Sequence, residues 1–156
     1  MPRSITLRSS PIHGKGIFAI RDIPADTEII EYRGRLITHR QADYWYGTYE
    51  GNDDGHTFLL TLNDRFVVDA NEGGNWARWI NHSCEPNCEL VLYEHESNDP
   101  RRDYVLVCAL RYIRAGEELT YHYGIQVHEP VTPELHKTWA CHCGTQQCQG
   151  SLLHQD

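Results

Sequence analysis

What the chain lacks narrows its class first. No apolar run approaches the roughly 20 residues of a membrane span, and the N-terminus carries no signal-peptide hydrophobic region, so a soluble, intracellular protein is expected. In that setting the six cysteines read as metal ligands and buried thiols, against the disulfide framework of a secreted domain. Neither an internal repeat nor a low-complexity tract interrupts the 156 residues, and with 40% hydrophobic content they make one domain with a real core. Positive charge is scarce: 14 Lys and Arg against 22 Asp and Glu leave a formal net charge of -8. Such a surface repels phosphate backbones and attracts cationic peptides. Direct nucleic-acid binding is therefore disfavoured and a Lys- or Arg-rich partner favoured, although solubility alone also accounts for the charge.

Chemistry is concentrated between Asn75 and Cys88, where Trp76, Arg78, Trp79, Asn81, His82, Ser83 and Cys84 follow one another closely. Pro86 forbids helix in the turn before it, so Trp76 to Ile80 is at most one short helical or extended segment, ending in a polar loop at Asn81 to Ser83. Near the C-terminus Cys141, Cys143 and Cys148 form C-x-C-x4-C, with Gly144 in a tight turn. Three thiols are one short of a tetrahedral structural zinc site, and Cys84 is the natural fourth. Such a metal would stitch the tail onto the central loop. Four available thiols argue for a closed structural site over a hydrolytic one, which needs an open coordination position.

Asn81-His82-Ser83-Cys84, then Glu117-Glu118-Leu119-Thr120-Tyr121-His122-Tyr123-Gly124, then the thiol tail, together resemble a SET-domain protein lysine methyltransferase with a post-SET zinc segment. The resemblance runs from Gly14 to Leu153, and the short lead-in resembles a compact, single-domain member. It implies a mainly β fold of several small sheets and short helices, with pseudo-knot-like C-terminal threading. The SET domain would span residues 1–124, and residues 125–156 would form the connecting segment and post-SET zinc tail of the same unit.

By the same resemblance the methyl donor is S-adenosylmethionine and Cys84, Cys141, Cys143 and Cys148 hold a structural Zn2+. Gly14, Lys15 and Gly16 would cradle the cofactor through backbone groups. Asn81 would bind its amino-acid end by the side-chain amide, His82 largely through the backbone, with Arg78 near that end and Leu152 over the adenine. Tyr123 takes the catalytic position, beside the cofactor, and Tyr121 that of a product-size switch. The implied partner is a basic protein or peptide presenting a lysine, such as a histone-like tail, with no membrane and no direct nucleic-acid contact. The implied location is cytoplasmic, or with chromatin or the nucleoid. A catalytically inactive, zinc-stapled interaction module of the same fold is the competing reading. One departure stands out: His122 occupies the position of the usual aspartate.

The residue chemistry agrees with the resemblance. Methyl transfer from a sulfonium to a neutral amine needs in-line approach in a dry channel, so catalysis is mostly positioning. A phenol ring can wall such a channel while its hydroxyl orients the amine, and residues two apart on a strand face the same way. Tyr121 and Tyr123 meet that spacing. A phenol at Tyr121 restricts rotation of a methylated amine, which predicts mainly monomethyl-lysine with some dimethyl.

Elsewhere, Ala42 to Tyr49 reads as a short helix carrying Tyr44, Trp45, Tyr46 and Tyr49, by resemblance beside the substrate groove. His56 to Leu62 and Arg65 to Ala70 read as a hairpin around Asn63-Asp64. Glu89 to Tyr93, Tyr104 to Tyr112 and Glu118 to Tyr123 read as strands, the apolar run Tyr104 to Leu110 as one buried on both faces.

Overall fold

The computed structural model describes residues 3–46, 58–123, 141–146, 148 and 150. Short β segments dominate, as the frequent Gly and Pro breaks require. β1 (Ile5–Ser9) and β2 (Lys15–Ala19) form an antiparallel hairpin with Ser9 opposite Lys15. Its turn closes by the Ser10 N–H donating to Gly14 O at 2.8 Å, and Gly14 has φ 44°, a left-handed value that glycine adopts without a Cβ clash.

β3 (Glu28–Glu31) and β4 (Arg35–Thr38) then feed two different three-stranded sheets. α1 (His39–Tyr46) follows β4 directly. Its start is a capping box: Thr38 Oγ1 accepts the Gln41 N–H at 3.1 Å, and Gln41 Oε1 accepts the Thr38 N–H at 2.9 Å. The helix therefore begins three residues before the expected Ala42; residues 47–49 lie outside the described part. β5 (Leu59–Thr61) and β6 (Phe66–Asp69) form the expected hairpin, and Asn63 Oδ1 accepts the Arg65 and Phe66 N–H groups at 3.0 and 2.9 Å in its turn. β6 is the centre of this sheet, ordered β4-β6-β5.

Trp76–Trp79 makes one 3-10 turn, capped by the Asn75 side chain on the Ala77 N–H, and runs into β7 (Asn81–His82). β8 (Cys88–Tyr93) and β9 (Tyr104–Ala109) complete the other sheet, ordered β3-β9-β8. β9 stops at Ala109, short of the expected Tyr112. Val105, Val107, Cys108 and Ala109 are buried, but Tyr104 and Leu110 are exposed at the ends, so burial on both faces holds only for its centre.

β10 is two residues, Thr120–Tyr121, and pairs in parallel with β7, Thr120 opposite Asn81 and Tyr121 opposite His82. It is shorter than the expected Glu118 to Tyr123 because the residues before it pair elsewhere, Phe18 bridging Glu118 and the Leu119 N–H donating to Ile17 O at 2.8 Å, and the Tyr123 N–H after it goes to the His82 side chain. The core around this junction includes Ile17, Ile80, Val107, Ile113 and Leu119, all fully buried. Each contributes roughly 1.5–3 kcal/mol relative to exposure, which anchors the backbone that carries the site. Among the described residues no helix is long and apolar enough to cross a membrane.

Candidate active site

The parallel pair of β7 and β10 lays Asn81-His82 beside Thr120-Tyr121. Two residues are too few to hold such a junction alone. Buried Asn87 completes it: its Nδ2 donates to Glu118 O at 2.8 Å and its Oδ1 accepts the Thr120 N–H at 2.9 Å, so the side chain stands in for a strand partner. The Ser83 N–H donates to Tyr121 O at 3.3 Å and carries the pairing one step further.

Asn81 is almost fully buried, and its Nδ2 faces four acceptors: Glu118 Oε2 at 2.8 Å, Lys15 O at 3.0 Å, Ser10 Oγ at 3.1 Å and His13 O at 3.2 Å. The amide thus ties the β1–β2 turn and the start of β2, Gly14 to Gly16, to the β7–β10 junction. Ser10 Oγ donates to both Glu118 carboxylate oxygens at 2.8 Å and accepts the Ile12 N–H at 3.0 Å. A Cβ built on Gly16 would fall within the Glu118 carboxyl group, 2.9 Å from its Cδ and 3.0 Å from Ser10 Cβ. Glycine is needed there for close approach.

Tyr121 and Tyr123 stand together, ring centroids 4.8 Å apart at 39°. The Tyr123 hydroxyl donates to Ile80 O, directly before Asn81. Tyr121 is buried, and that burial, with Tyr32 and Tyr123 beside it, pushes its phenol pKa well up. Tyr32, also buried, is pushed up chiefly by burial. Tyr121 is therefore a neutral phenol at any working pH. His82 Nδ1 accepts the Tyr123 N–H at 2.9 Å. Burial, reinforced by His122, lowers the His82 pKa to about 4, so the ring is neutral. Exposed His122 packs edge-on against it at 4.5 Å.

Arg78 donates through Nη1 to Ala70 O at 3.1 Å and lies 5.0 Å from the Trp79 ring, which Lys15 Nζ approaches at 5.4 Å. Trp79 thus gathers the cationic groups of two site segments. Of the tyrosines near the expected groove, Tyr44 is exposed and the Tyr46 hydroxyl donates to Asp69 Oδ2 at 2.6 Å. Tyr49 and Leu152 lie outside the described residues.

The Sγ atoms of Cys84, Cys141, Cys143 and Cys148 lie within 4.8 Å of one another, and this four-cysteine cluster can hold a metal ion. Cys84 and Cys141 Sγ are 3.8 Å apart. A regular tetrahedron of thiolates at about 2.3 Å from zinc has edges of about 3.8 Å, so the donor set and its spacing fit. Backbone N–H groups of Cys143 and Gly150 donate to Cys141 and Cys148 Sγ, each at 3.4 Å, as suits thiolate charge. Burial pushes the Cys141 thiol up; Cys143 is held low, since hydrogen bonds from the Cys84 backbone and Thr145 outweigh its own burial. The two ends of the chain's chemistry, loop and tail, meet at this cluster.

A family model described as the SET domain matches residues 14–124. The chain belongs to the SET-domain family. Its relatives include the histone-lysine N-methyltransferase SETD1B of Xenopus laevis, 33% identical over 150 residues, 96% of this chain and 7% of the relative. Histone-lysine N-methyltransferase trithorax of Drosophila virilis is 37% identical over 143 residues, 92% of this chain and 3% of the relative. A histone-lysine N-methyltransferase described as H3 lysine-4 specific, from Chaetomium globosum, is 34% identical over 150 residues, 96% of this chain and 13% of the relative. The chain thus spans a small fraction of the length of these relatives.

Within this SET domain, sequence reasoning missed Ser10, Tyr32, Asn87 and the role of Glu118. Glu118 and Asn87 had a signal, since they sit inside the Glu117-Glu118-Leu119 motif and the Asn75–Cys88 stretch; Ser10 and Tyr32 reach the site only through contacts distant in sequence.

Proposed function

We propose that this SET domain is an S-adenosylmethionine-dependent protein-lysine N-methyltransferase. The observation that carries the reading is the adjacency of two functions at one junction. The Tyr121–Tyr123 phenol pair adjoins, through Ile80 O and the His82 ring, the buried Asn81 amide and the Gly14–Gly16 turn. When bound, S-adenosylmethionine supplies an electrophilic methyl group on a sulfonium.

The chain's own residues do the rest. Asn81, with its Nδ2 tied back to Lys15 O, offers Oδ1 to an ammonium beside the backbone of Gly14 to Gly16. Tyr121, kept neutral by burial, cannot serve as a base for the incoming lysine. The amine must arrive deprotonated through solvent, and the two phenols orient its lone pair and exclude water. Tyr123 is fixed at both ends, its hydroxyl on Ile80 O and its N–H on His82 Nδ1. Cys84, Cys141, Cys143 and Cys148 would hold a structural Zn2+ that keeps the tail against this junction.

The formal charge of -8 supports a basic substrate, a lysine-bearing protein or peptide such as a histone-like tail, with mono- and some dimethylation from the phenol at Tyr121. The named activity of the histone-lysine N-methyltransferase relatives points the same way. Isothermal titration of metal-replete protein with S-adenosylmethionine tests the cofactor reading: saturable one-to-one binding is expected, and absence of binding overturns it.

A further inference from the structure

We propose that Glu118 is a positioning residue that sets the orientation of the Asn81 amide, so that Asn81 Oδ1 faces the cofactor's α-ammonium. The inference rests on the cofactor reading above. An asparagine amide has a donor end and an acceptor end that differ little in shape. Which end meets the ligand is decided by what surrounds the other. Around one end of Asn81 stand a carboxylate oxygen, two backbone carbonyls and the Ser10 hydroxyl oxygen. Four acceptors repel an oxygen and attract an N–H, so Nδ2 must occupy that end. Oδ1 is turned the other way, and it accepts no hydrogen bond from the described residues.

Glu118 contributes the shortest of the four contacts, 2.8 Å, and the only charged one. Charge-assisted hydrogen bonds are roughly twice as strong as neutral ones. The carboxylate is itself fixed. Both oxygens accept from Ser10 Oγ at 2.8 Å, its backbone bridges Phe18 in β2, its carbonyl accepts from Asn87 Nδ2 at 2.8 Å, and the bare Cα of Gly16 leaves it room. Ser10 in turn caps the turn that contains Gly14. Glu118 therefore reads both sides of the cradle, the turn through Ser10 and the junction through Asn81, without touching the ligand.

The test compares binding of S-adenosylhomocysteine with that of its analogue lacking the α-amino group. Glu118→Ala removes the shortest and only charged of the four contacts and leaves the amide held less firmly by Lys15 O, His13 O and Ser10 Oγ, so it should weaken binding of the amine-bearing ligand by roughly tenfold, the low end for a hydrogen bond to a charged group. Binding of the deaminated ligand should change by less than about threefold. Glu118→Gln keeps shape and one acceptor, and should show the same selectivity with a smaller loss, so the experiment survives if Glu118→Ala fails to fold. In a cycle with Asn81→Ala, the losses on the amine-bearing ligand should not add, because both variants remove one interaction. Equal losses for the two ligands, or additive losses in the cycle, overturn the proposal and leave Glu118 a scaffold residue. Binding of neither ligand by the unmodified protein removes the cofactor reading, and this inference with it.

Discussion

His82 accepts the backbone N–H of Tyr123 on Nδ1 at 2.9 Å while its Nε2 lies 3.5 Å from Cys84 Sγ. A neutral imidazole that accepts on Nδ1 carries its proton on Nε2, which then points at the sulfur. One ring thus joins the thiol cluster to the tyrosine proposed as catalytic, in the manner of an outer group that orients a metal ligand. His82→Phe keeps the ring volume and removes both bonds. An unpaired buried N–H costs about 1–3 kcal/mol, and urea unfolding should show a loss of that size together with weaker metal retention. Unchanged stability and unchanged retention would dissolve the link.

The cluster makes a prediction of its own. Protein purified without chelator should carry one zinc per chain by elemental analysis, and Cys84→Ser, Cys141→Ser, Cys143→Ser or Cys148→Ser should each lose it. Cys88→Ser and Cys108→Ser should keep it: both are buried in β8 and β9, and burial pushes the Cys88 thiol up to about 12, far from a ready thiolate. Metal lost with Cys88 and kept without Cys84 would reassign the fourth ligand.

A network outside the junction sets an acid limit on stability. Asp69 is fully buried and accepts from Tyr46 OH at 2.6 Å, Arg35 Nη2 at 2.9 Å and the Asn71 N–H at 3.0 Å. Burial alone would raise its pKa, but these donors outweigh it and hold the carboxyl below its usual value. Its contribution is therefore fully present above the unfolded value of about 3.9 and is lost as pH falls through the lower folded value. Asp69→Asn should cost about 1–3 kcal/mol at pH 7, the partly exposed Arg35 screening the pair. The gap to the unmodified protein should narrow in unfolding curves below a pH of about 4. A gap that does not change with pH would remove the carboxylate from the argument.

Much of the candidate site was legible as short, local signals, whose roles remain those proposed above. Asn81 to Cys84, the C-x-C-x4-C tail and the Tyr121, Tyr123 pair each declare their chemistry within a few residues, and the Asn63 turn marks its hairpin. What was hidden is the traffic between them. Glu118 reaches Asn81 across 37 positions and Ser10 across 108, and Asn87 replaces a strand partner 33 positions away. No periodicity encodes such contacts. The start of α1 was legible in Thr38 and Gln41, but the aromatic run after Ala42 is the louder signal and shifts the expected boundary. The short β10 follows from competition, since the residues before Thr120 pair with β2.

In the proposed reading, product state depends on Tyr121. Its buried phenol can hold a hydrogen bond in the space a methylated amine needs to rotate into line, and displacing such a bond is worth about 0–2 kcal/mol. Mass spectrometry of a reaction run to saturation should find mainly monomethyl-lysine with some dimethyl, and Tyr121→Phe should shift the distribution upward. Trimethyl-lysine as the dominant product of the unmodified protein would contradict the role given to Tyr121.

The most direct measurement is transfer of a labelled methyl group from S-adenosylmethionine to a panel of basic proteins, with the modified residue located by peptide mapping and Tyr123→Phe run in parallel. Label on a lysine side chain is expected. Tyr123→Phe, which loses only the hydroxyl that bonds Ile80 O, should bind the cofactor and turn over at least about tenfold more slowly, or about 1.4 kcal/mol of barrier. Cofactor binding without transfer to any lysine would contradict the methyltransferase reading, and equal turnover in the variant would remove Tyr123 from the chemistry.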